Sequence, residues 1–206
     1  MKTRSTIIAL FFALLMSPAL DAQEMNYQDF LDEANTSIKS EDYKEAINSL
    51  QMAISEIEKL MIVQIRETLP AEVMDYKADQ SDDESSATAA MGMFGGGLSV
   101  ERNYFKNPGD WDNYFKLSVL GNSPLLASVN MMLSNSMYLS SAGGKVIKVG
   151  TRKGMMTDEG EGDFKFQLPL NSSLISVEGY GFSSSSAFMA VINKINFEEI
   201  AKALGE

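Results

Sequence analysis

Asp158, Glu159, Glu161 and Asp163 fall within one short stretch, "DEGEGD", and paired carboxylates are the tools of general acid–base chemistry and of glycoside hydrolysis. Catalysis needs the two acids held rigidly in a cleft. Here glycines break the run and strand-like segments flank it, so an acidic turn is the expectation and a carboxylate hydrolase the weaker alternative. Ser183 to Ser186 is a run of hydroxyls with no base partner in view, and it reads as a helix-capping loop. Asp79, Asp82, Asp83 and Glu84 could gather calcium, but they lack the alternating spacing and central glycine of a calcium loop. Met91, Met93, Met131, Met132, Met155 and Met156 carry thioethers that suit Cu(I), yet methionines at such positions usually fill cores.

Two absences narrow the chemistry further. The chain has no histidine and no cysteine. Ser-His-Asp and Cys-His nucleophiles, imidazole-based metal centres, thiolate ligands and disulfides are therefore excluded. Gly95-Gly96-Gly97 is no phosphate loop. An acidic segment precedes it, no Lys-Ser/Thr follows it, and the next residues alternate as a strand. A glycine turn tethered by Met93 and Phe94 is expected instead. No catalytic residue, cofactor or metal site is assigned, and a non-enzymatic role is expected.

The elements that would position any site follow from apolar periodicity. Lys2 and Arg4 precede an apolar run, Ile7 to Met16, then Pro18 and a small residue at Ala22. This reads as a secretory signal peptide over residues 1–22, cleaved near Ala22, which places the protein in the periplasm or outside the cell with no stable membrane insertion afterwards. Residues 23–90 carry 5 basic and 16 acidic side chains, whereas residues 91–206 carry 10 and 11. Such acidity argues against nucleic acid and anionic lipid as partners and suggests two surfaces of different character.

A helical hairpin is expected over residues 23–70, with one helix from about Tyr27 to Lys39, a turn at Ser40-Glu41-Asp42, and a second helix from Tyr43 toward Pro70. Ala34, Asp42-Tyr43, Ala46, Leu50 and Ala53 resemble a single tetratricopeptide-like helix-turn-helix. Such a repeat does not bury its face alone, which implies packing on the rest of the chain, a second copy or a partner. Tyr43, Ala46 and Leu50 are the candidate partner-binding residues, with an envelope protein or self-association as the expected contact.

Residues 71–97 are expected to be an acidic, glycine-rich linker. Residues 98–206 read as an α+β domain of order β-β-α-β-β-β-α, an antiparallel sheet covered by helices. The strands are expected at Leu98–Phe105, Trp111–Leu120, Lys145–Arg152, Phe164–Leu170 and Leu174–Phe182, with a helix after Ser123-Pro124 and two more near the end. This order resembles the PsbP-like α/β/α sandwich. The "MFGGG", "NSPLL…MMLSN" and "GGKVIKVG" segments resemble an uncharacterised exported bacterial family. The resemblance implies an accessory binding or assembly role. An alternative is a small apolar ligand carrier whose sheet face is lined by Tyr104, Trp111 and Phe115.

Overall fold

The computed structural model describes residues 26–79, 98–141 and 143–206. The signal-peptide segment, most of the acidic linker and the Gly95–Gly97 run lie outside the described residues.

Asn26 opens the first helix. Its side chain accepts from the amides of Gln28 and Asp29 while the Asp29 carboxylate accepts from the Asn26 amide, a reciprocal cap. Helix α1 runs Tyr27–Lys39 and helix α2 runs Tyr43–Thr68. Asp42, the last residue of the expected turn, caps α2 by accepting from the Glu45 amide at 3.2 Å. Within residues 26–56 the buried positions are small: Ala34 and Ser37 on α1, and Ala46, Ser49 and Ala53 on α2.

The chain divides into two compact units inside α2, residues 1–56 and 57–206. The last turns of α2 belong to the second unit, because Ile62, Ile65 and Leu69 sit in its core. That unit then runs β1 (Glu72–Val73), β2 (Tyr76–Asp79), β3 (Ser99–Phe105), β4 (Tyr114–Leu120), α3 (Leu126–Ser134), α4 (Ser136–Ser141), β5 (Gly144–Val149), β6 (Arg152–Gly160), β7 (Asp163–Pro169), β8 (Leu174–Tyr180), α5 (Ser185–Ile192) and α6 (Phe197–Ala203). The eight strands form one sheet of order β1-β2-β3-β4-β8-β7-β6-β5, antiparallel at every pairing. The expected α+β class is what the chain adopts.

Neighbouring residues of a strand face opposite sides of the sheet, and here each side carries a buried cluster. Val177 and Met156 join the main core with the end of α2, α5 and α6, whereas Leu174 and Met155 join a smaller cluster with Val129 of α3 and Leu139 of α4. Helices therefore cover both faces. The buried Arg102 Nη1 donates to the Leu69 carbonyl at 3.1 Å, and Tyr104 Oη donates to the Pro70 carbonyl at 3.0 Å. A guanidinium at a helix C-terminus satisfies a carbonyl left open by the helix and meets the negative end of its dipole.

Four elements differ from expectation. The strand expected over Lys145–Arg152 ends at Val149, the chain turns at Gly150-Thr151 with Gly150 at φ 57°, and Arg152–Gly160 returns as β6, so six strands follow residue 98 where the order β-β-α-β-β-β-α had five. Residues 72–79, inside the expected linker, form a hairpin with Val73 opposite Tyr76. Val73 and Tyr76 are buried, and Met74 takes the positive φ of 58° that the two-residue turn demands. The expected acidic turn starts three residues late. Asp158 and Glu159 continue β6, and the chain reverses at Glu161-Gly162. The single helix expected after Pro124 breaks at Asn135, whose φ of −120° and ψ of 84° leave helical space.

The Glu206 side chain ties down the β7–β8 turn. Its carboxylate accepts from the amides of Asn171 and Ser172 and from the hydroxyls of Ser172 and Ser173 at 2.7 and 2.6 Å. Burial alone would raise its pKa, but the hydrogen bonds from Ser173, Ser172 and Asn171 outweigh it and hold the group below the ordinary glutamate value. A depressed carboxylate stabilises the fold fully above its unfolded pKa, and the contribution fades as pH falls through the folded pKa. Glu206→Gln is expected to cost about 1 kcal/mol at neutral pH, a modest figure because the group is largely solvated. Urea melts of both proteins should converge as the medium is acidified below the glutamate range.

Candidate functional site

Tyr43 and Leu50, two of the three candidate partner-binding residues, stand exposed on α2. Ala46 does not. It is buried, because it belongs with Ser49 and Ala53 to the inward face of the hairpin, and it drops out of the candidate surface. Its place is taken by residues that the repeat-like pattern did not single out. Ile47, Ile54 and Ile57 are 55%, 56% and 40% exposed, and with Tyr43 and Leu50 they form a single apolar stripe along α2. Their spacing, alternating four and three residues, is that of a coiled-coil seam. The signal lay in the sequence, in the count of apolar positions: α2 carries more of them than one buried face can use.

The three residues offered as a ligand-lining face are not brought together. Tyr104 and Phe115 oppose each other across β3 and β4, with stacked rings 4.4 Å apart, and neither has any solvent exposure. Their rings are core. Trp111 lies before β4 and is 60% exposed. It packs edge-on against Phe105 and Tyr114, the alternate residues of the same two strands and hence the opposite side of the sheet. The row of rings continues from Tyr114 to Tyr180 on β8, stacked at 4.5 Å.

That second side also holds a charged cluster. Glu178 lies between Lys165 at 2.7 Å and Lys116 at 3.1 Å, and Tyr180 Oη donates to it at 3.2 Å. Burial alone would raise the Glu178 pKa; the hydrogen bond from Lys165 and the Lys116 charge outweigh it and keep the carboxylate ionised. Lys116 is pulled down by burial and pushed further up by Glu178 and Glu101, so it stays charged. Burial and the Glu178 carboxylate push the Tyr180 phenol well above its ordinary value. Glu178 and Lys116 are held charged and the Tyr180 phenol is held protonated, so the cluster ties strands β4, β7 and β8 together.

No protein-family model, curated protein or solved structure matches this chain.

A further polar group escaped the sequence altogether. The β1–β2 turn brings Asp75 to 3.1 Å from Lys106 Nζ, which stands 5.0 Å over the Tyr76 ring. Tyr76 Oη donates to Asn113 Oδ1 at 2.8 Å, and Asn113 Nδ2 donates to the Gly181 carbonyl at 2.7 Å. These side chains border a cleft of about 300 Å³ with Phe182 and Ser183. The hydrogen bond to Asp75 holds the Lys106 pKa up, and burial raises that of the Tyr76 phenol. The lysine and the carboxylate satisfy each other. The acidic residues around Glu161 are likewise used in turns, with Asp158 accepting from the Gly160 amide and Asp163 from that of Gly181. Among the described residues no group of three or more acidic side chains is gathered closely enough to hold a metal ion.

Proposed function

We propose that the protein is a non-enzymatic interaction or accessory module of the bacterial envelope, exported by its N-terminal segment, and that the outward stripe of α2 is the surface through which it binds. The stripe carries this reading. Large apolar residues set side by side on a solvent-facing helix are costly to leave uncovered, and such patches mark contact surfaces. The tetratricopeptide-like pattern of the hairpin points the same way, toward binding. Asp158 and Asp163 each accept a backbone amide and Glu178 is ion-paired, which supports a structural use of these acids over a carboxylate hydrolase. The ligand-carrier alternative loses its proposed lining, since Tyr104 and Phe115 are sealed in the core.

A photo-crosslinking amino acid at Tyr43 tests the proposal in cells that express the chain. A discrete adduct, with either a second protein or another copy, is the expected result. The same probe at Asp32, an exposed polar site on α1, should give none. Equal, diffuse labelling from both positions would overturn the reading.

A further inference from the structure

The stripe of α2 has a self-complementary pattern. Ile47 and Ile54 occupy the first core position of successive heptads, and Tyr43, Leu50 and Ile57 occupy the second. Lining this helix against an inverted copy of itself sets Ile47 opposite Ile57 and Leu50 opposite Ile54, twice each, around a two-fold axis near Met52. Every layer is then apolar against apolar. The flanking positions on the open side of the stripe are Lys44, Gln51 and Glu58. In the inverted pairing Lys44 of one copy meets Glu58 of the other, again twice, and Gln51 meets Gln51 on the axis.

A parallel pairing has no such match. It would set Lys44, Gln51 and Glu58 against the positions held by Ala46 and Ala53, which are buried and carry no charge. α2 is one continuous helix over the whole stripe. Charge and layer composition thus favour one occupant above others.

We infer that two copies of this chain associate through antiparallel pairing of their α2 stripes, Lys44 against Glu58. This rests on the reading of the stripe as a binding surface and names its partner. The paired seam from Ile47 to Ile57 is roughly 15 Å long at 1.5 Å per residue, with Tyr43 lying beyond its end. So short a contact makes a weak, concentration-dependent dimer, with Kd on the order of micromolar. The contact is isologous, so it closes at two copies.

The chain has no cysteine, so each introduced thiol is alone. In the purified full chain, Gln51→Cys is expected to oxidise to a covalent dimer. Ile47→Cys is not, because its opposite number is Ile57. Light scattering across a dilution series should show the dimer in the unmodified chain. Lys44→Glu should weaken it roughly tenfold by turning two attractions into repulsions, and adding Glu58→Lys should restore it. A monomer at every concentration, faster coupling of Ile47→Cys than of Gln51→Cys, or failure of the double reversal would each overturn the inference. A monomer that still yields a foreign adduct from Tyr43 sinks self-pairing and leaves the binding surface standing. Diffuse labelling together with a monomer sinks both.

Discussion

Phe115→Ala is expected to destabilise the sheet unit by about 3–5 kcal/mol, the usual cost of emptying a fully buried aromatic site. Phe115 has no solvent exposure, stacks on Tyr104 and meets the edge of Tyr76 at 5.3 Å. Helix-borne side chains and strands β2, β3 and β8 surround it, so the cavity left by alanine has little freedom to collapse. A loss of this size leaves little of an ordinary domain's stability. Phe115→Leu supplies the graded version, expected at about 1–2 kcal/mol by urea denaturation. Trp111→Ala serves as the contrast, since its ring is mostly in water, and should cost no more than about 1 kcal/mol. A carrier with an open aromatic face would reverse this order. Phe115 would then line a cavity, and its truncation would be mild in the absence of ligand.

Gly181→Ala is expected to cost about 3–4 kcal/mol, equivalent to a fall in Tm of roughly 10 °C for a chain of this size. Two independent reasons add. Gly181 has φ +66°, a conformation that L side chains adopt only at a cost. A Cβ on it would lie 1.8 Å from the Asp112 carbonyl oxygen, a backbone atom with no flexible way out. The neighbours pin the site from both sides, since the Gly181 amide donates to Asp163 and its carbonyl accepts from Asn113. Gly109→Ala separates the two reasons. It shares the positive φ, at +76°, but a Cβ there meets nothing within 4 Å, so only the conformational cost of about 1 kcal/mol is expected. Equal losses at the two positions would show that the tight join between the start of β4 and the end of β8 is not formed as described.

Local rules made much of this architecture readable. Apolar period and the Ser40-Glu41-Asp42 turn placed α1 and α2, Gly143 marked the end of the helical stretch before β5, and Ser184 caps α5 as its serine run suggested. What escaped was whatever depends on the far side of the sheet. In β1 and β2 only Val73, Tyr76 and Ala78 are apolar. So brief an alternation inside an acidic stretch looks like linker until β3 is beside it. In β6 the adjacent Met155 and Met156 are both buried, one on each face, which erases the alternation that marks a half-exposed strand.

The candidate site shows the same division. The alternation of β3 and β4 correctly put Tyr104 and Phe115 on one face. Whether that face was open depended on the end of α2, α5 and α6 arriving over it, and no local pattern carries that. On α2 the misassignment of Ala46 has a simple cause. A small residue in a repeat-like hairpin serves close packing, and the residues left for a partner are the large apolar ones that packing did not consume.

The claim on which the account turns is that this apolar stripe is covered when the protein is at work. Hydroxyl-radical footprinting measures that directly, by comparing oxidation of the Tyr43–Ile57 peptide in expressing cells with the same peptide in the purified chain at high dilution. Protection in cells at Tyr43, Leu50, Ile54 and Ile57, with Asp32 and its neighbours on α1 labelled alike in both settings, is the predicted result. Equal labelling of the stripe in cells and at high dilution would mean that nothing covers it, and would contradict the account.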